Sequence, residues 1–105
     1  MATKHQLLTA LQAHIGRGRG ITVRNLAGLL DCHARQVRTL VTELRDEGIA
    51  VCGTPRDGYY IAATAEELEE TCQFLRSRAM CSLTLESRLR KVPLADLFGQ
   101  LHLPT

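Results

Sequence analysis

The sequence predicts a mainly α protein with one small β-hairpin and a long C-terminal helix. Apolar residues recur at helical spacing in four stretches. A single turn rich in Pro, Asp and Gly, Thr54 to Gly58, divides two short alternating runs. Residues suited to capping stand at the helix starts. With 105 residues, 45% of them hydrophobic and 23% charged, the chain has the balance of a globular protein with one modest core.

Taken in order, Leu7, Leu8, Leu11 and Ile15 mark a first helix over residues 4–15, with Thr3 as its cap. The run Gly16-Arg17-Gly18-Arg19-Gly20 ends it. Ile21 is expected as a short strand or bridge residue. Thr22 caps a second helix, Val23 to Leu30, with Val23, Leu26, Leu29 and Leu30 inward. After the turn Asp31-Cys32-His33, a third helix runs from Ala34 to Glu47 on Val37, Leu40, Val41 and Leu44, and Gly48 closes it as the C′ residue. Ile49, Val51 and Cys52 read as one strand, and Tyr59-Tyr60-Ile61 as its return. Thr64-Ala65-Glu66-Glu67 has the form of a capping box and opens a fourth helix reaching Lys91, where Val92-Pro93 stops it. The expected organisation is a head over residues 1–63, the long helix over 64–92, and a flexible tail over 93–105.

Helix, short strand, helix, turn, helix and hairpin is the winged helix-turn-helix order. The stretch Ile21 to Ile61 resembles the N-terminal DNA-binding domain of biotin-repressor-type bacterial regulators. The resemblance lies in Ile21-Thr22-Val23-Arg24-Asn25-Leu26-Ala27, in Cys32-His33-Ala34-Arg35-Gln36-Val37-Arg38, in Leu44-Arg45-Asp46-Glu47-Gly48-Ile49, and in Gly58-Tyr59-Tyr60-Ile61. Two departures stand out: Asp31 replaces the usual turn glycine, and His33 replaces a serine cap. Asp can adopt the left-handed conformation and His can accept a hydrogen bond.

The resemblance implies double-stranded DNA as partner, with the third helix in the major groove and the hairpin on the flanking groove. The residue types agree. With the valines and leucines inward, Arg35, Gln36, Arg38, Thr39 and Thr42 form the outward ridge, where Arg can read guanine and Gln adenine. Thr22 and Arg24 open the second helix near phosphate, with His33 at the start of the third. Arg56 at the wing tip is placed for the minor groove or phosphate, and Arg17 and Arg19 for further phosphates. Residues 1–58 hold eight Lys/Arg against five Asp/Glu, while residues 59–105 hold five against six. The acidic Glu43, Asp46 and Glu47 are expected to point away from the duplex. A small transcriptional regulator is the first expectation; a bacterial or phage replication adaptor, or a winged helix that docks protein, is the alternative.

In the long helix, Ala65, Leu68, Cys72, Leu75, Ala79 and Leu83 form one apolar stripe. Two readings stay open: homodimerisation through Leu68, Cys72, Leu75, Ala79 and Leu83, or folding back onto the first helix. The tail segment Gln100-Leu101-His102-Leu103-Pro104 is similar to the bacterial sliding-clamp-binding peptide, in which glutamine bonds at a cleft rim and apolar residues fill it. Gln100, Leu101, Leu103 and Pro104 match; His102 departs. The competing reading makes Leu94, Leu97, Phe98, Leu101 and Leu103 a last amphipathic turn.

The four cysteines, Cys32, Cys52, Cys72 and Cys81, lack the close spacing of a zinc site. They read as small hydrophobes in a reducing compartment, with no disulfides expected. His5, His14, His33 and His102 form no metal pair, and no nucleophile elbow or phosphate loop is present. No enzyme, cofactor or metal is expected. No apolar run approaches the roughly 20 residues that cross a bilayer, and no secretory leader is visible, so neither membrane nor export is expected. The expected address is the cytoplasm of a bacterium, or of a phage host.

Overall fold

The computed structural model describes residues 2–100. Its elements are α1 (Lys4–Leu11), a 3-10 turn (Arg17–Arg19), α2 (Val23–Leu30), α3 (Ala34–Asp46), β1 (Val51–Thr54), β2 (Gly58–Ile61), α4 (Ala65–Arg90) and α5 (Leu94–Gln100). The protein is therefore mainly helical with a two-stranded antiparallel hairpin and one long helix. It divides into two compact units, the first ending at Thr71 and the second beginning at Cys72, within α4.

In the first unit, α1 is fixed by a complete capping box: Gln6 N–H donates to Thr3 Oγ1 (3.2 Å) and Thr3 N–H to Gln6 Oε1 (3.0 Å). The helix stops at Leu11, four residues short of the sequence expectation, and Ile15 is half exposed. The reason lies in the outer edge of β2, whose backbone groups need partners. Ile61 N–H donates to His14 O (2.9 Å) and Gly16 N–H to Ile61 O (2.8 Å). Tyr59 and Ile21 exchange both backbone bonds, at 2.7 and 2.8 Å. Ile15 and Ile21 are thus bridge residues on either side of the 3-10 turn.

The core is built from Leu7 and Leu11 of α1, Leu26 of α2, and Val37, Leu40, Val41 and Leu44 of α3, with Ile21 and Val51 beside them. Burying each such side chain contributes about 1.5–3 kcal/mol. Val23, Leu26, Ala27 and Leu30 give α2 its inward stripe at helical spacing. Leu29, expected inward, falls outside that stripe and is 66% exposed.

Asp31 ends α2 in the left-handed region (φ 52°), which its short polar side chain tolerates. At the end of α3, Gly48 has φ 83°; its N–H donates to Arg45 O (2.9 Å), and Ile49 N–H donates to Leu44 O (3.1 Å). This is a complete Schellman motif. The hairpin pairs Val51 with Ile61, Cys52 with Tyr60, Gly53 with Tyr59 and Thr54 with Gly58. It begins two residues later than Ile49, and its turn is confined to Pro55–Asp57. Gly58 is required there: its φ is 74° and a Cβ would collide with the Ile21 backbone.

In the second unit, α4 ends with Lys91 at φ 57° and Val92 N–H on Ser87 O (3.0 Å). The same wrapping that Gly48 gives α3 is made here by a lysine. Residues 94–100, expected as part of a flexible tail, form α5, whose Leu97 is fully buried. Pro93 starts it, its carbonyl accepting from Asp96 and Leu97 N–H.

Candidate nucleic-acid interface

The candidate interface is the exposed side of α3 and the loops around it. Val37, Leu40, Val41 and Leu44 are buried, while Arg35, Arg38, Thr39 and Thr42 are exposed on the same helix. Among the described residues, no carboxylate forms an ion pair with Arg19, Arg24, Arg35, Arg38 or Arg56. These guanidinium groups keep their donors for solvent or a ligand.

The threonines are more restricted. Thr39 Oγ1 donates to Arg35 O (3.2 Å) and Thr42 Oγ1 to Arg38 O (3.1 Å). Each hydroxyl proton is engaged by its own helix, so each side chain presents acceptor lone pairs only.

Gln36 departs from the outward ridge on which the sequence reading placed it. It is half-buried, and its Nε2 donates to Ala2 O at 3.4 Å. One residue on from Arg35 is a rotation of about 100°, which carries Gln36 off the ridge to where Ala2 is buried.

His33 is the N-cap of α3 in extended conformation, yet its ring makes no capping bond. The first turn is closed by backbone bonds instead, Gln36 and Val37 N–H both donating to His33 O. No acidic side chain occupies that first turn, so the amide end of the helix dipole is left unneutralised. Thr22 caps α2 as expected, accepting from Asn25 N–H at 3.2 Å, with Arg24 exposed beside it.

The acidic residues of α3 separate from the arginines along the helix rather than around it. Asp46 lies within about 20° of Arg35 in rotation but about 16 Å further along the axis. Glu47 is drawn onto α1 by Lys4, Nζ to Oε1 3.0 Å. That neighbour raises the lysine pKa, first through the hydrogen bond and then through the charge of Glu47.

Arg17 and Arg19 part company. Arg17 donates its backbone N–H to Glu67 Oε2 (3.0 Å), and its guanidinium pairs with Glu70. It anchors the loop to the start of α4. Glu67 also accepts from Ala63 N–H (2.8 Å), and its own N–H donates to Thr64 Oγ1 (3.2 Å). The capping box expected at Thr64 is therefore modified, with the glutamate reaching Ala63 and Arg17. These backbone donors, Arg17 first and Ala63 second, lower the Glu67 pKa. Arg19 stays exposed, while its carbonyl lies 2.7 Å from His14 Nδ1. A carbonyl only accepts, so this contact requires the proton on Nδ1.

Arg56 is exposed at the apex of the hairpin. Thr54 holds the apex: its Oγ1 accepts from Asp57 N–H (3.0 Å) and donates to Asp57 Oδ2 (3.1 Å). Arg45 is a positioning residue that the sequence reading did not single out. Its Nε donates to Val51 O at 2.8 Å, tying the last turn of α3 to β1. A basic residue three before the closing glycine is the signal that marks it.

On α4, Leu68, Cys72, Leu75 and Ala79 are exposed and Leu83 is half-buried. Leu101, Leu103 and Pro104 lie outside the described residues, as does the side chain of Gln100. Among the described residues, no helix is long and apolar enough to cross a membrane.

Comparison with known protein families, characterised proteins and solved structures yields no match for this chain.

Proposed function

We propose that the first unit is a winged helix-turn-helix that binds double-stranded DNA, with α3 in the major groove and β1–β2 on the flanking groove. One observation carries the reading: Arg35 and Arg38 stand exposed and without carboxylate partners on a helix whose other face is fully buried. Leaving two guanidinium groups uncompensated contributes nothing to the fold, and it suits a polyanion. Arg24 and Arg56, equally unpaired and exposed on neighbouring elements, extend the cationic surface. Arg35 and Arg38 are the base-reading candidates, and Arg24, Arg56 and Arg19 the phosphate contacts. Gln36 and Arg17 are left out, because the fold already uses them. The function that follows is that of a small transcriptional regulator.

Selection of bound duplexes from a random pool, followed by fluorescence anisotropy on the winner, tests this. Arg35→Ala is expected to weaken the selected duplex and relax preference at one base pair. Arg56→Ala is expected to weaken all sequences alike and to lower the salt slope by about one. A pool that yields no enriched sequence and no salt-dependent binding would remove the proposal.

A further inference from the structure

Two segments of the first unit meet at backbone distance: the glycine loop that carries Arg19 and the hairpin apex that carries Arg56. Gly20 lies so close to the apex that a Cβ there would overlap the Asp57 carbonyl. The residues that follow hold this contact in place. Ile21, next after Gly20, exchanges two backbone hydrogen bonds with Tyr59. Gly58, next after Asp57, leaves no room for a Cβ against the Ile21 backbone. From this contact and the fixed spacing of neighbouring Cα atoms, the Cα atoms of Arg19 and Arg56 lie within about 13 Å of one another. Two extended arginine side chains can close that gap on one small anion.

Each of these arginines has a fixed backbone and a free head group. Arg19 N–H donates to Gly16 O (3.0 Å), and its carbonyl accepts from His14 Nδ1 (2.7 Å). The apex around Arg56 is closed by Thr54 Oγ1, which accepts from Asp57 N–H and donates to the Asp57 carboxylate. Both guanidinium groups are exposed, and neither has a carboxylate partner among the described residues. Arg17, in the same loop, is the contrast, being paired with Glu70. With the backbone already ordered, the entropy cost of meeting a ligand falls on the side chain alone.

We infer that Arg19 and Arg56 form a single clamp on one phosphate, or on two consecutive phosphates of one strand, and that Gly20 is the positioning residue that holds the clamp together. The inference rests on the DNA-binding reading and deepens it: the glycine loop and the hairpin apex are one phosphate-binding unit rather than two. A phosphate offers a guanidinium two acceptor oxygens in matching geometry. Phosphate contacts set the orientation of a protein on the duplex and carry no sequence information. The clamp therefore fixes how α3 lies in its groove, and its loss weakens every duplex alike.

The test is a scan of the selected duplex with methylphosphonate, which removes the charge of one phosphate at a time, read by fluorescence anisotropy with the full chain. For the parent, neutralising the clamped phosphate should weaken binding about tenfold. In Arg19→Ala and in Arg56→Ala that penalty should shrink at the same phosphate or its immediate neighbour, with penalties elsewhere unchanged. Gly20→Ala should shrink it at the same place and keep the base preference, a local change that general loss of structure does not produce. Gly18→Ala, in the same loop but with nothing within 4 Å of its Cβ, should behave as the parent. Penalties that shrink at separate sites in the two arginine variants would overturn the clamp and leave DNA binding standing. So would an Arg19→Ala scan identical to that of the parent, or a Gly20→Ala variant that matches Gly18→Ala. Should Gly20→Ala fail to fold, the arginine variants, changed at exposed and unpaired side chains, decide the clamp by themselves. A parent that binds no duplex removes the underlying reading and this inference with it.

Discussion

Helices α3 and α4 solve opposite problems. In α3 the apolar face is covered and the charged face is bare: Leu44 is 1% exposed, while Arg35 and Arg38 stand open. In α4 the apolar face is bare and polar residues are covered: Leu75 and Leu89 are 42% and 82% exposed, while Thr71 is 4%. Within the first unit, the opening turn of α4 is tied down by hydrogen bonds, through Glu67 to the backbone of Arg17 and Ala63. The carbonyl of Glu67 also accepts from Cys52 Sγ at 3.7 Å. A hydrophobic period tells which face wants cover. It does not tell what supplies the cover.

The contrast breaks most sharply in the core. Leu44→Ala should destabilise the fold by about 2–5 kcal/mol. Leu75→Ala should change the unfolding free energy of dilute protein by no more than about 0.5 kcal/mol. Urea denaturation followed by circular dichroism measures both, and equal losses would erase the distinction between the helices. Next in size, Arg35→Ala should cost about 1–3 kcal/mol of affinity for a selected duplex while leaving stability unchanged, because the side chain makes no ion pair in the fold. A stability loss as large as the affinity loss would turn the ridge into a structural feature.

A smaller effect sharpens the account of α4. Thr71 Oγ1 is buried with no hydrogen-bond partner among the described residues. Thr71→Val keeps the shape and removes the unsatisfied hydroxyl, so stability should rise by up to about 1 kcal/mol. A clear destabilisation in thermal melts would mean that the hydroxyl is satisfied in solution.

The smallest effect is expected at Glu67, where the sign follows from linkage. Its pKa is lowered in the fold from 4.5, so its contribution is complete above that value and is lost as pH falls through the folded-state pKa. Glu67→Gln should lower the melting temperature at neutral pH, where the contribution is complete, and flatten the acid side of the curve below pH 4.5, where variant and parent converge. An unchanged acid slope would detach Glu67 from the loop anchor.

Much of this was legible in the sequence where one physical signal acts alone. The Thr3, Thr22 and Gly48 termini follow from capping chemistry, and the α3 core from a clean helical period. The reading failed where tertiary partners compete with local pattern. Ile15 continues the apolar spacing of α1, yet the unpaired edge of β2 takes it. Leu29 looked like core because leucine is apolar, but its angle on α2 puts it outside. At the candidate site, Arg35, Arg38 and Arg56 are exposed as their types suggested, whereas Gln36 and Arg17 are taken by Ala2 and Glu70. No local rule reveals that a glutamine meets a carbonyl 34 positions away, or that a loop arginine meets a glutamate 53 positions away.

The most direct test of the central claim is an amide NMR titration of the full chain with a selected DNA duplex. The account predicts that the largest shifts fall on Arg35, Arg38 and Thr39 in α3, on Arg24, and on Arg56 at the hairpin apex, with Gln12 and Ala13 silent. Shifts confined to α4, or none up to saturating duplex, would contradict it.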